Sequence, residues 1–141
     1  MEKENWHYSI GNDLYYYDIK NSLNNPNKAT CCSTYVSVCL YKSKIFSEEE
    51  MNSFNYNFAP YIYTFLILND WAEIDDFNSL KPGDIVFETE DGYSVDHVQI
   101  YAGYRKWFNA GSMSAIERVN PYNIDLNYSK KRFFCAMRNP N

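Results

Sequence analysis

The chain has 141 residues, 45% of them hydrophobic and 22% charged, which is the balance of one folded domain and excludes a disordered chain. Its net charge is −5 and no basic run exceeds Lys130-Lys131-Arg132, so neither nucleic acid nor an anionic membrane is a fitting partner. Four cysteines and two histidines give no disulfide framework and no zinc-ligand spacing, and neither a metal nor another cofactor is expected.

Met1-Glu2-Lys3-Glu4-Asn5 is followed by polar and aromatic residues, not by the apolar stretch of a signal peptide, so synthesis in a cytoplasm with reduced thiols is expected. Asp13 opens a short helix over 13–22. Thr30 then caps a second helix over 31–41, which begins with Cys31 and Cys32. Ser47-Glu48-Glu49-Glu50 carries the capping-box signature of a third helix, within 47–55. Pro60 starts a fourth, which runs to Leu68 and stops at Asn69-Asp70; its apolar run is too short to span a bilayer. Beyond it the period changes. Leu80-Lys81-Pro82-Gly83-Asp84 is a turn, Ile85–Glu88 a strand, Glu90-Asp91-Gly92 a second turn, and 95–101 the next strand. The chain turns again around Gly103, and extended segments follow at 106–110, 115–119 and Phe133–Arg138. Helices first and antiparallel strands after predict an α+β fold, with the helices packed on one face of a mostly antiparallel, five- to six-stranded sheet.

The adjacent thiols at a helix start carry the first chemical signal. Free backbone N–H groups and the positive end of the helix dipole favour thiolate there, and lower a cysteine's titration by about a unit or more. The alternative for either residue is a small buried hydrophobe, and the helix start does not choose between Cys31 and Cys32. His97 carries the second signal. Strand alternation sets it with Gln99 and Tyr101 on a polar face, opposite Val98 and Ile100. A histidine in that setting is commonly just a satisfied polar residue. Asn109 follows twelve positions later, across a hairpin, and the even separation brings both side chains to one face if the loop is odd and no bulge intervenes. An asparagine oxygen there can fix the imidazole tautomer and leave the other ring nitrogen to take a thiol proton. Cysteine, histidine and asparagine in this chain order are one arrangement of cysteine hydrolases, and the cysteine's own amide at the helix start can hold an oxyanion. His7 and Asp96 are not assigned to the chemistry. Fourteen tyrosines and nine phenylalanines leave aromatic surface to line a groove, with Tyr93, Tyr101, Trp107 and Trp71 near the proposed site. For Trp71, core packing is an equal reading.

Four segments in this order resemble the NlpC/P60-type cysteine peptidases. Cys32-Ser33-Thr34-Tyr35-Val36 is similar to their C-S-G-x-V element, and Leu80-Lys81-Pro82-Gly83-Asp84-Ile85-Val86-Phe87 to their L-x-P-G-D turn and strand. His97-Val98-Gln99-Ile100-Tyr101 is similar to their H-V-G-I-Y strand, and Trp107-Phe108-Asn109-Ala110 falls where the family has its third polar residue. The longer stretches 30–37 and 107–112 are similar to lysin domains of clostridial-type phages and bacteria. The resemblance covers about 13–138 and implies a papain-like domain, without a cofactor, that hydrolyses a peptide or amide bond of peptidoglycan. It implies Cys32 as nucleophile, His97 as base and Asn109 as the orienting residue. It also implies a tyrosine upstream of the nucleophile, for which Tyr15, Tyr16 and Tyr17 are candidates; Tyr17, Tyr93, Tyr101 and Trp107 form the expected substrate contacts. Cys31 replaces the family's acidic residue, Thr34 its glycine, and Asn109 its commoner histidine, which leaves the bond cleaved open between endopeptidase and N-acetylmuramoyl-L-alanine amidase. Such a chain acts on the cell wall as a phage-released lysin, a tail component, or part of a longer secreted chain. The rivals are a papain-like acyltransferase or toxin acting on protein amides, and a non-catalytic wall-binding or structural module. Peptidoglycan is the expected partner; oligomeric state is not legible.

Overall fold

A computed structural model of the chain describes residues 6–9, 18–104, 106–108, 122–123 and 130–141. Strand β1 (His7–Tyr8) pairs in parallel with β2 (Ala29–Thr30). Between them, helix α1 (Ile19–Leu23) starts where the Asp18 carboxylate accepts from the amides of Lys20 and Asn21. The Asp13 start and Tyr15–Tyr17 fall outside the described residues. Because Thr30 is held in β2, the N-cap of helix α2 (Cys32–Lys42) is Cys31 and not Thr30 as expected, and no side chain caps this helix. Helix α3 (Glu48–Met51) carries the expected capping box: Ser47 Oγ accepts from Glu50 N at 3.1 Å, and Glu50 Oε1 accepts from Ser47 N at 3.0 Å. Helix α4 (Ala59–Leu68) has Pro60 in its first turn and ends at Asn69, with Asp70 in the left-handed region at φ 63°.

Among the described residues six strands form one antiparallel sheet. Its order is β3 (Ala72–Ile74), β8 (Phe133–Arg138), β4 (Ile85–Glu88), β5 (His97–Gly103), β6 (Lys106–Phe108) and β7 (Tyr122–Asn123). The fold is thus α+β, but not a plain meander, because the last strand inserts between β3 and β4. The segment 115–119, expected as a strand, lies outside the described residues. Strand β5 begins at His97 rather than at residue 95, since Asp96 turns away to accept from Glu90 N at 2.7 Å and closes the 89–96 turn. His97 is therefore a strand-end residue, not a mid-strand one.

The β5–β6 hairpin departs from expectation twice, and the departures cancel. Gly103 opposes Lys106, which by itself would set odd positions against even ones, but a register shift lets Tyr101 oppose Trp107 and Ile100 oppose Phe108. Trp107 thereby shares the face of Tyr101, Gln99 and His97. Gly103 is required at this corner: its φ is +84°, and a Cβ there would lie 3.0 Å from Pro82 Cγ.

Two apolar layers flank the sheet. The larger joins Tyr35, Val36, Ile62 and Leu66 from α2 and α4 to Ile85, Phe87, Val98 and Met137. The smaller, on the far face, joins Val86, Trp107 and Ala136 with Phe77 and Tyr101. At the edge, β3 is three residues long, and its Glu73 accepts from the Tyr63 hydroxyl at 2.9 Å. An ion pair ties the Leu80–Asp84 turn to β8. The Asp84 carboxylate, 2% exposed, accepts from Arg138 Nε at 2.9 Å and Nη2 at 2.7 Å, and from Lys81 N at 2.8 Å. Only the carboxylate is buried; the Arg138 side chain is 27% exposed, so water relieves part of the loss when its partner is removed. Asp84→Asn is expected to lower the unfolding free energy by about 1–2 kcal/mol, read as a shifted urea midpoint at unchanged slope.

Candidate active site

Cys32 is the first residue of α2, so its amide is one of the helix's free N–H groups and faces its own sulfur. The thiol is half-buried and accepts from the backbone N–H of Val98. The ladder explains why that N–H is available. The Tyr101 amide donates toward β4, at 2.9 Å to the Asp84 carbonyl, and alternation sends the Val98 amide to the opposite edge. Described pairing with β6 ends at Ile100. The helix start thus sits on the β5 edge, with the sulfur on the His97–Val98 peptide unit.

This position works against the expected thiolate. Burial pushes the Cys32 thiol up from its ordinary 9.0 to about 12, and neighbouring Cys31 adds to the rise. The N–H groups of Val98, Ser33 and Cys32 pull the other way without prevailing. Cys31 is buried, with the Ser33 and Thr34 hydroxyls 3.2 and 3.3 Å from its sulfur. It thus packs inward among polar groups. The four cysteines are free thiols.

His97 is half-buried and pairs across the ladder with Glu88. As expected, its strand neighbours separate by face: Val98 and Ile100 join the helix-side core, and Tyr101 the far layer. Glu88 is 4% exposed, with Arg132 Nε at 3.8 Å from its carboxylate. Burial raises its proton affinity from an ordinary 4.5 to about 7; Arg132 opposes the rise and Asp96 adds to it. The same guanidinium reaches Glu90 at 3.1 Å and Asp96 at 2.9 Å, and so binds the 89–96 turn to the start of β8. An acid at the end of an apolar strand gave no sequence signal for this role, because its partner arrives from a distant element.

A cavity of about 440 Å³ opens beside the thiols, walled by Tyr8, Cys31, Cys32, Asn57, Phe58 and Asp96 among others. Tyr8, an upstream tyrosine that carried no sequence signal, lines the cavity with Cys32, while Tyr17 lies outside the described residues. Asn57 is held by the Thr34 hydroxyl, which donates to its Oδ1 at 2.6 Å. Phe58 is 49% exposed and meets Tyr61 edge-on at 6.0 Å, giving the cavity an aromatic rim from α4. The expected rim differs. Trp107 is fully buried, 5.0 Å from the Tyr101 ring and 6.4 Å from Phe77, so it is core and not a groove wall. Tyr101 is half-buried in the same layer, and Tyr93 is 90% exposed in the 89–96 turn. Trp71 stacks on Phe46 in the helix-side core, which was its alternative reading. Asn109 lies outside the described residues. A larger, apolar cavity of about 560 Å³ lies at the other end of α2, around Leu40, Trp71 and Ile100.

Among the described residues no group of three His, Cys, Asp or Glu could hold a metal ion, and no helix is long and apolar enough to cross a membrane. A scan against protein-family models finds no match to the chain, and no curated protein matches it.

The raised Glu88 has a thermodynamic signature. Between pH 4.5 and about 7 the folded chain keeps a proton that the unfolded chain has released. Stability is therefore fullest below 4.5 and falls as pH rises to about 7, by at most about 3 kcal/mol. Denaturant melts at pH 5 and pH 7.5 are expected to show this loss, and Glu88→Gln to reduce it.

Proposed function

We propose that the chain is a papain-like, NlpC/P60-type cysteine hydrolase that cleaves a peptide or amide bond of peptidoglycan. The observation that carries the reading is the Cys32 thiol at the first residue of α2, seated on the His97–Val98 peptide at the mouth of a cavity. The thiol thus meets the backbone of the strand that carries His97, although sixty-five positions separate the two residues in the chain.

In this reading the thiol enters the reaction protonated, because its burial disfavours a standing thiolate. His97 takes the proton as sulfur attacks the substrate carbonyl, and Asn109 orients the ring. The Cys32 amide faces the developing oxyanion. Collapse expels the amine, which takes the proton from His97 and leaves a thioester. Water then attacks the thioester with His97 as base, releasing the acid and restoring the thiol. Phe58 and Tyr8 line the substrate cavity. The chain acts at the cell wall, as a lysin or as part of a longer wall-directed protein.

A second reading, a non-catalytic wall-binding module, has one observation in its favour: the same upward push on the thiol. Turbidity loss of purified peptidoglycan separates the two. Wild type is expected to clear the suspension, Cys32→Ala and His97→Ala to lose about 10³-fold or more in rate, and Cys31→Ala to remain active. An inert wild type supports the binding module. Full activity in Cys32→Ala with loss in Cys31→Ala moves the nucleophile by one residue. Mass spectrometry of the fragments identifies the bond.

A further inference from the structure

We propose that Glu88 is a positioning residue for His97: its carboxylate, across the β4–β5 ladder, stabilises the protonated imidazole. The inference rests on His97 as the base and adds to it a residue that no family motif supplied.

The geometry has three parts. Glu88 and His97 are opposed in the antiparallel register, with side chains on the same, far face of the sheet. Opposed residues have Cβ atoms about 5 Å apart, which sets the two side chains beside each other. Glu88 is also nearly inaccessible, and a buried acid is uncommon unless something compensates it.

The third part is charge. Glu88, Glu90 and Asp96 share the Arg132 guanidinium, at 3.8, 3.1 and 2.9 Å. Among the described residues these are the charged groups around Glu88, together with His97; Gln99, on the same face, contributes a neutral amide. Three carboxylates against one guanidinium leave negative charge in excess, and a proton on His97 reduces it. Burial brings the Glu88 titration up to about 7. The imidazolium formed when Cys32 gives up its proton thus has an acceptor of its charge ready behind it.

The test is an NMR titration of the histidine ring signals, with His7→Gln assigning His97. In Glu88→Gln the His97 midpoint is expected to fall by about one unit. On peptidoglycan, kcat is expected to drop roughly tenfold with KM unchanged, and the acid limb of kcat/KM to move with the NMR midpoint. Glu88→Met, of similar volume and without a charge, serves as a second variant should Glu88→Gln unfold, and is expected to lower the His97 midpoint too. A His97 midpoint unmoved in the folded variant overturns the proposal. An inert wild type overturns the hydrolase reading, while the NMR midpoint still decides the coupling.

Discussion

The molecule depends on how α2 docks against β5. Val36 of the helix and Val98 of the strand are both fully buried, and the layer they join contains most of the helical core. Dispersion and burial fix the pitch of that contact, since one methylene misplaced is felt across a close-packed interior. The contact also brings polar groups together at its end. With the helix body lying on the strand, its first residue meets the strand edge beyond the described pairing with β6, and Cys32 finds the Val98 amide there. The apolar packing aims the thiol. The hydrogen bond then only refines a position that the core has already chosen.

Electrostatics at this end runs in two opposing directions. The helix start and three amides favour a sulfur anion, and burial disfavours it more strongly. Across the strand the same competition ends alike: Arg132 favours the Glu88 carboxylate, and burial keeps it protonated up to about 7. Both acids are thus restrained from ionising by exclusion of water.

Much of the frame was legible because it is written in local chemistry. The Ser47–Glu50 capping box, the Pro60 helix start, the Leu80–Asp84 turn and the strands at 85–88 and 133–138 each rest on neighbours within four residues. What escaped depends on distant partners. β1 and β2 are two residues each, too short to show a period, and their pairing turned Thr30 from a cap into a strand residue. Alternation correctly grouped Trp107 with Tyr101, but a face has no label saying whether it is covered, and Trp107 proved to be core. Tyr8, Phe58 and Glu88 reach the site from three separate elements, and no spacing rule links them to Cys32 or His97.

The far edge of the sheet has a bearing on how copies of the chain meet. β3 presents only three residues, and Glu73, Asp75 and Asp76 crowd its end with carboxylates. A second copy adding its own β3 there would bring like charges face to face over a ladder too short to repay the repulsion. Short and acidic, that border discourages strand-by-strand growth into fibrils.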